Sequence, residues 1–182
     1  MYWCRFFLEM SAGTIIFVLL GIAFGIADST NIGKLEKIVR NRTAGLLFAL
    51  PALAACVPHA QIVAPEFLQN PVVLWTLALL IPVLCYFYID YYTARAGAGM
   101  VIILAYDLIH YCYDEKLPLA IAITIMAWLF GFAAIWISGK PYALRDWFRL
   151  AVRNRKFAIA AMIASYLAAA AFAAAAIGGI LK

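Results

Sequence analysis

One apolar segment near the middle of the chain carries four polar side chains on a single helical face. Asp107 is followed by His110, Tyr111 and Asp114 at the third, fourth and seventh positions, a spacing that places them on one side of an α-helix. A carboxylate at membrane depth is costly unless it is paired or hydrated, and histidine titrates in the physiological range. This polar stripe therefore predicts either a cation- or proton-binding site open to one side of a membrane, or a satisfied polar cluster that fixes helix packing.

The two histidines indicate a second chemistry. His59 and His110 lie fourteen and thirteen residues beyond the glycines that open their apolar segments, so we expect them at similar depth. Two imidazoles from two helices are how a membrane haem is held. Pro58 predicts that His59 lies in a turn, which weakens this hypothesis. A zinc or copper site would have to add Glu66 and Asp107, and these residues lack the usual ligand spacing.

Other catalytic patterns are weak in this sequence. The four cysteines form no C-x-x-C pair, which argues against a thiol oxidoreductase. Cys56 and Cys112 could pair in an oxidising compartment, but small apolar packing residues are the better interpretation. A membrane enzyme would have only Asp107 and His110 as an acid/base pair, with no nucleophile beside them. An enzyme is therefore not the favoured class.

Six apolar segments must position these residues. With 68% hydrophobic and 13% charged residues, the chain carries more apolar surface than a soluble domain of 182 residues buries. A spanning helix needs about 20 apolar residues. The segments are 11–27, 44–62, 72–92, 97–113, 118–137 and 157–180. We predict an all-α fold, a single transmembrane domain over residues 1–182 with six transmembrane helices.

The basic residues predict how this bundle is oriented. Eleven of the fourteen lie in the loops after the first, third and fifth spans, whereas Arg5, Lys116 and Lys182 lie on the other side. The positive-inside rule then places both termini outside and the three basic loops in the cytoplasm, in a plasma membrane of the bacterial inner-membrane type. The first span is not a signal peptide on this view, because its basic flank is C-terminal.

The loop before the last span has an amphipathic pattern over about 141–156. Its apolar residues recur at helical spacing at Leu144, Trp147, Phe148, Ala151 and Val152. Its basic residues occupy the other side at Arg145, Arg149, Arg153 and Lys156. We predict a helix in the membrane plane, with its apolar face in the acyl boundary and its basic face against anionic lipid headgroups. Nucleic-acid binding is disfavoured, because the net charge of +5 comes almost wholly from such loops.

Two of the basic loops resemble each other. Both open with Gly-Lys, and both close with Val-Arg-Asn-Arg, at 39–42 and at 152–155. This pattern favours three helical hairpins of spans 1–2, 3–4 and 5–6, although transmembrane helices that begin in the cytoplasm often start with Arg followed by small residues.

Gly21 and Gly25 give the first span a small-xxx-small packing face.

Two classes of function follow. The first is a small transporter, channel-type or solute-binding membrane protein that uses the polar stripe from Asp107 to Asp114 in an outward-facing cavity. The second is an accessory or scaffold subunit of a larger membrane complex, or a homo-oligomer, in which small-residue faces of the first and last spans contact neighbours. A membrane enzyme or a haem-binding protein comes third.

Overall fold

The fold is all-helical. The computed structural model describes the backbone of residues 2–63, 65, 69–115 and 120–180 and the side chains of residues 8–63, 65, 69–114 and 120–177. Within these residues it has eight α-helices and no strand. In chain order they are α1 (Tyr2–Gly25), α2 (Ile32–Arg40), α3 (Arg42–Val63), α4 (Pro71–Tyr88), α5 (Tyr92–Glu115), α6 (Ala120–Gly139), α7 (Tyr142–Arg153) and α8 (Arg155–Ile180). Six of them, α1, α3, α4, α5, α6 and α8, are long and apolar enough to cross a membrane, as predicted.

The spans do not pack as the three predicted hairpins. Among the described residues, the most extensive contact is between α1 and α8, followed by those of α5 with α6 and of α3 with α5 and α4. The main hydrophobic cluster joins α1, α5, α6 and α8, and its centre contains the fully buried Leu104, Leu108 and Ala168. Helices in a membrane associate where their surfaces fit closely. The first and last spans therefore become neighbours although they are distant in sequence.

Glycines of α1 explain why α8 is its main neighbour. A Cβ atom placed at Gly13 would lie 2.7 Å from the ring of Phe172, and one at Gly21 would lie 3.0 Å from the ring of Tyr166. Such distances leave room only for a hydrogen atom, so the two backbones approach closely at these positions. The packing role predicted for Gly21 is confirmed. However, this face contacts α8 of the same chain, whereas the subunit hypothesis assigned it to a neighbouring protein.

A helix that we did not predict lies in the first basic loop. α2 buries Leu35 and Val39, which are four residues apart and therefore on one face. It packs against α7, and the Nε atom of Arg149 donates a hydrogen bond of 2.6 Å to Glu36 of α2. The two short helices thus form one layer at the basic end of the bundle.

The predicted helix before the last span is confirmed as α7, but its apolar face has a different environment. Phe148 and Ala151 are buried, and the ring centroid of Phe148 lies 5.1 Å from that of Phe24 in α1. This face packs on α1 and α2, so the prediction that it lies in the acyl boundary is wrong for these two residues. The reason is that the apolar face of α2, with Leu35 and Val39, packs into the same hydrophobic cluster and covers these residues.

The repeated Val-Arg-Asn-Arg segments form the same local structure. Asn41 ends α2 in an extended conformation, and its side-chain oxygen accepts a 3.0 Å hydrogen bond from the backbone N–H of Thr43 in α3. Asn154 ends α7 and accepts a 3.1 Å bond from the N–H of Lys156 in α8. Each asparagine is therefore the N-cap of the following span. The repeat is local, since the helix contacts show no matching arrangement of the spans.

The three basic loops meet at one end of the bundle. Arg42 lies 3.5 Å from Asp90, Arg145 donates a 3.4 Å hydrogen bond to the hydroxyl of Tyr91, and the guanidinium of Arg40 lies 5.7 Å from the centre of that ring. The loops gather on a single side, as the charge pattern requires. Arg5, Lys116 and Lys182, predicted on the opposite side, lie outside the described side chains.

Candidate functional site

Two parallel spans, α3 and α5, position the polar residues. Both begin at the basic end, and they approach closely there, because a Cβ atom at Gly45 would lie 2.7 Å from the ring of Tyr92. α3 contains Pro51 and Pro58, yet it remains helical as far as Val63. His59 therefore lies inside a helix, and the predicted turn at Pro58 is wrong. Proline removes one backbone hydrogen bond, and transmembrane helices tolerate that loss when neighbouring groups compensate.

The structure pairs Asp107 with the histidine of the neighbouring helix. The Nε2 atom of His59 lies 3.4 Å from a carboxylate oxygen of Asp107. The Asp107 side chain is 11% exposed and that of His59 is 39% exposed. A carboxylate that is this well buried is stabilised by a nearby cation, and His59 supplies one when its ring is protonated.

Tyr106 connects this pair to the second histidine. Its ring lies edge-on to His59, with centroids 5.2 Å apart, and its centroid is 4.2 Å from that of His110. The Nδ1 atom of His110 also lies 3.4 Å from the backbone oxygen of Tyr106. Both Tyr106 and His110 are exposed at the surface of the bundle. The three rings form a short aromatic row that begins at the buried carboxylate and ends at an exposed imidazole.

The four residues of the predicted stripe do not share one environment in the fold. Tyr111 is buried in the main hydrophobic cluster, whereas Asp114 is exposed near the end of α5. Asp107 lies eight residues before the end of the helix, which corresponds to about 12 Å. Because α5 begins at Tyr92, five residues earlier than predicted, Asp107 lies slightly past the centre of the helix, in the half remote from the basic end.

The arrangement does not fit a haem held between the two histidines. The ring of Tyr106 contacts both imidazoles, and a haem between them would have to displace it. Within the residues that the structure describes, no group of three or more His, Cys, Asp or Glu side chains is placed to hold a metal ion. Glu66, the further ligand considered for zinc or copper, lies outside the described residues. The disulfide between Cys56 and Cys112 that was considered from the sequence is not formed.

The four basic residues predicted to contact lipid have different environments. Arg145 donates two hydrogen bonds, of 3.0 and 2.9 Å, to Asp146, whereas Arg153 and Lys156 are exposed. Arg149 binds Glu36, and this hydrogen bond lowers the pKa of the Glu36 carboxyl below its usual 4.5. Two of the four basic side chains, Arg145 and Arg149, thus have carboxylate partners within the protein.

Comparison with protein-family models, with curated proteins and with solved structures finds no match to this chain. Its function must therefore be inferred from the geometry of the site.

Proposed function

We propose that this protein is a small transporter or channel-type protein of a plasma membrane, and that Asp107 and His59 bind a proton, or a small monovalent cation in exchange for one. The observation that supports this proposal is the 3.4 Å contact between a nearly buried carboxylate and an imidazole from a second spanning helix. Ionisable groups inside transmembrane segments usually belong to ion or substrate pathways, because their burial is too costly to retain otherwise.

The chemistry of the pair couples a proton to a cation. When His59 is protonated, its positive charge neutralises the carboxylate of Asp107, and the pair has no net charge. When His59 is neutral, the pair carries one negative charge in a region of low dielectric constant, where a cation is strongly attracted. Binding of a cation and binding of a proton therefore compete at this site.

The exposed end of the aromatic row lies toward the side from which we expect a proton to enter. His110 is exposed and lies nearly one helical turn closer than Asp107 to the end of α5 that is predicted to face outside. It is the first titratable imidazole that a proton from that side would meet. Tyr106 contacts both imidazoles and holds them at fixed positions relative to the pair.

The subunit hypothesis loses part of the surface on which it was based. The glycines of α1 face Phe172, Tyr166 and Met162 of α8 in the same chain, whereas the small residues Ala160, Ala164, Ala170 and Ala174 of α8 are exposed. Lipid covers such apolar surfaces equally well. We therefore favour the site at Asp107.

Proton flux into reconstituted vesicles tests the proposal. Vesicles loaded with the dye pyranine report proton entry driven by a K⁺ diffusion potential, and a Na⁺ gradient without a potential tests for exchange. We expect Asp107→Asn to reduce either flux to the rate of protein-free vesicles. Asp114→Asn is the matched control, because it removes an exposed carboxylate from the same helix and should leave the flux unchanged. Equal flux in the wild-type protein and Asp107→Asn, or no flux in either, contradicts the proposal.

A further inference from the structure

A shallow cavity lies on the exposed side of α7. It has a volume of about 390 Å³ and is lined by Asp146, Trp147, Arg149, Leu150 and Arg153. We propose that this cavity binds the phosphate-bearing headgroup of one anionic phospholipid from the cytoplasmic leaflet. The inference is independent of the function proposed for Asp107.

Two guanidinium groups provide the charge that a phosphate requires. Arg149 and Arg153 are four residues apart and therefore lie one above the other on α7. Arg149 uses its Nε atom for Glu36, and a guanidinium has five N–H donors, so its terminal nitrogens can still bind phosphate oxygens. Asp146 also lines the cavity, but Arg145 donates two hydrogen bonds to it and neutralises its charge. Glu36 offsets the charge of Arg149 in the same way, so the excess positive charge at the cavity comes from Arg153, and it favours an anion.

The apolar lining of the cavity and its place beside the start of α8 favour a lipid over a soluble phosphate. Leu150 is 43% exposed and Trp147 is partly exposed, which gives a phosphate site an apolar border. Tryptophan is enriched at the level of the headgroups in membrane proteins. α8 begins at Arg155, two residues beyond the end of α7, so the cavity is adjacent to the start of a span. The headgroup phosphate of a lipid beside this span would therefore be within reach of the cavity.

Native mass spectrometry of the detergent-purified protein tests this site. The protein is titrated with phosphatidylglycerol and, in parallel, with phosphatidylcholine of the same acyl chains. Arg153→Gln removes one basic side chain from the cavity, and Lys37→Gln removes an equal charge from the exposed side of α2. We expect phosphatidylglycerol to bind one-to-one in preference to phosphatidylcholine. Arg153→Gln should weaken this binding about fivefold, the equivalent of about 1 kcal/mol per basic residue, and Lys37→Gln should not.

Three results would overturn the inference. Equal binding of the two lipids would show that the phosphate charge is not recognised. An equal effect of Lys37→Gln and Arg153→Gln would show a diffuse attraction to the whole basic end. Displacement of phosphatidylglycerol by millimolar inorganic phosphate would show that the cavity is a site for a soluble anion.

Discussion

The contact between Gly13 and Phe172 predicts a measurable loss of stability when one methyl group is added. In Gly13→Ala, the new Cβ atom would lie 2.7 to 3.0 Å from three atoms of the Phe172 ring, closer than carbon atoms normally approach. The ring cannot move aside easily, because it is only 3% exposed and stacks on Phe17 with centroids 5.5 Å apart. The strain must therefore separate α1 from α8.

The expected magnitude follows from two opposing effects. Overpacking of a close-packed interior costs about 1–3 kcal/mol. Alanine stabilises a helix by up to about 1 kcal/mol relative to glycine. The 2.7 Å contact with a confined ring places Gly13→Ala in the upper part of the overpacking range, at about 2–3 kcal/mol, so we expect a net loss of about 1–2 kcal/mol in the free energy of unfolding. For a chain of this length, this corresponds to a fall in Tm of about 2–8 °C.

Thermal unfolding in detergent measures this effect, and other glycines of the chain provide graded controls. Gly25→Ala should cost less, because the nearest atom is the sulfur of Met162 at 3.2 Å, which belongs to a flexible side chain. Gly99→Ala is the matched control, since nothing lies within 4 Å of its new Cβ atom, and its Tm should stay equal or rise. If Gly13→Ala is as stable as Gly99→Ala, the close packing of α1 on α8 is refuted.

Two further predictions concern the basic end. Arg149 lowers the pKa of Glu36 by donating a hydrogen bond to it, so the Glu36 charge stabilises the fold above pH 4.5, and this stabilisation is lost as the pH falls through the lowered pKa. In thermal unfolding, Glu36→Gln should therefore be less stable than the wild type near neutral pH, and this difference should shrink in acid; a difference independent of pH would contradict the assignment. Asn41→Ala and Asn154→Ala each remove an N-cap and should each cost about 1 kcal/mol in the same assay, whereas Asp at either position should restore most of the loss.

The architecture was largely predictable because a membrane restricts it to apolar helices of a certain length. All six spans and the helix at Tyr142–Arg153 were found from composition and spacing. α2 was not, although Ile32, Leu35 and Val39 have the spacing of one helical face. Nine residues between two spans are easily taken for a loop when several are basic, and the packing against α7 that stabilises this helix cannot be seen in the local sequence.

The site was predictable only in part. Asp107 was identified because a carboxylate in an apolar segment is conspicuous, but its partner was expected to be His110. The actual pairing with His59 depends on which spans are neighbours, and that depends on close packing between surfaces that are similarly apolar. Pro58 also misled the prediction, because a proline that ends a helix in water does not have to end one in a membrane.

The α1–α8 interface and the site at Asp107 can be perturbed separately because they lie on different sides of α5. Leu104 and Leu108 of α5 are fully buried in the cluster with α1, α6 and α8, which holds this helix firmly. Asp107 lies beside them on the part of α5 that meets α3, and it is His59 of α3 that it contacts. Gly13→Ala changes the contact of α1 with α8, on the other side of the bundle core. We therefore expect this variant, below its Tm, to retain the flux that Asp107→Asn abolishes; a loss of flux in both would mean that the site depends on the packing of the whole bundle.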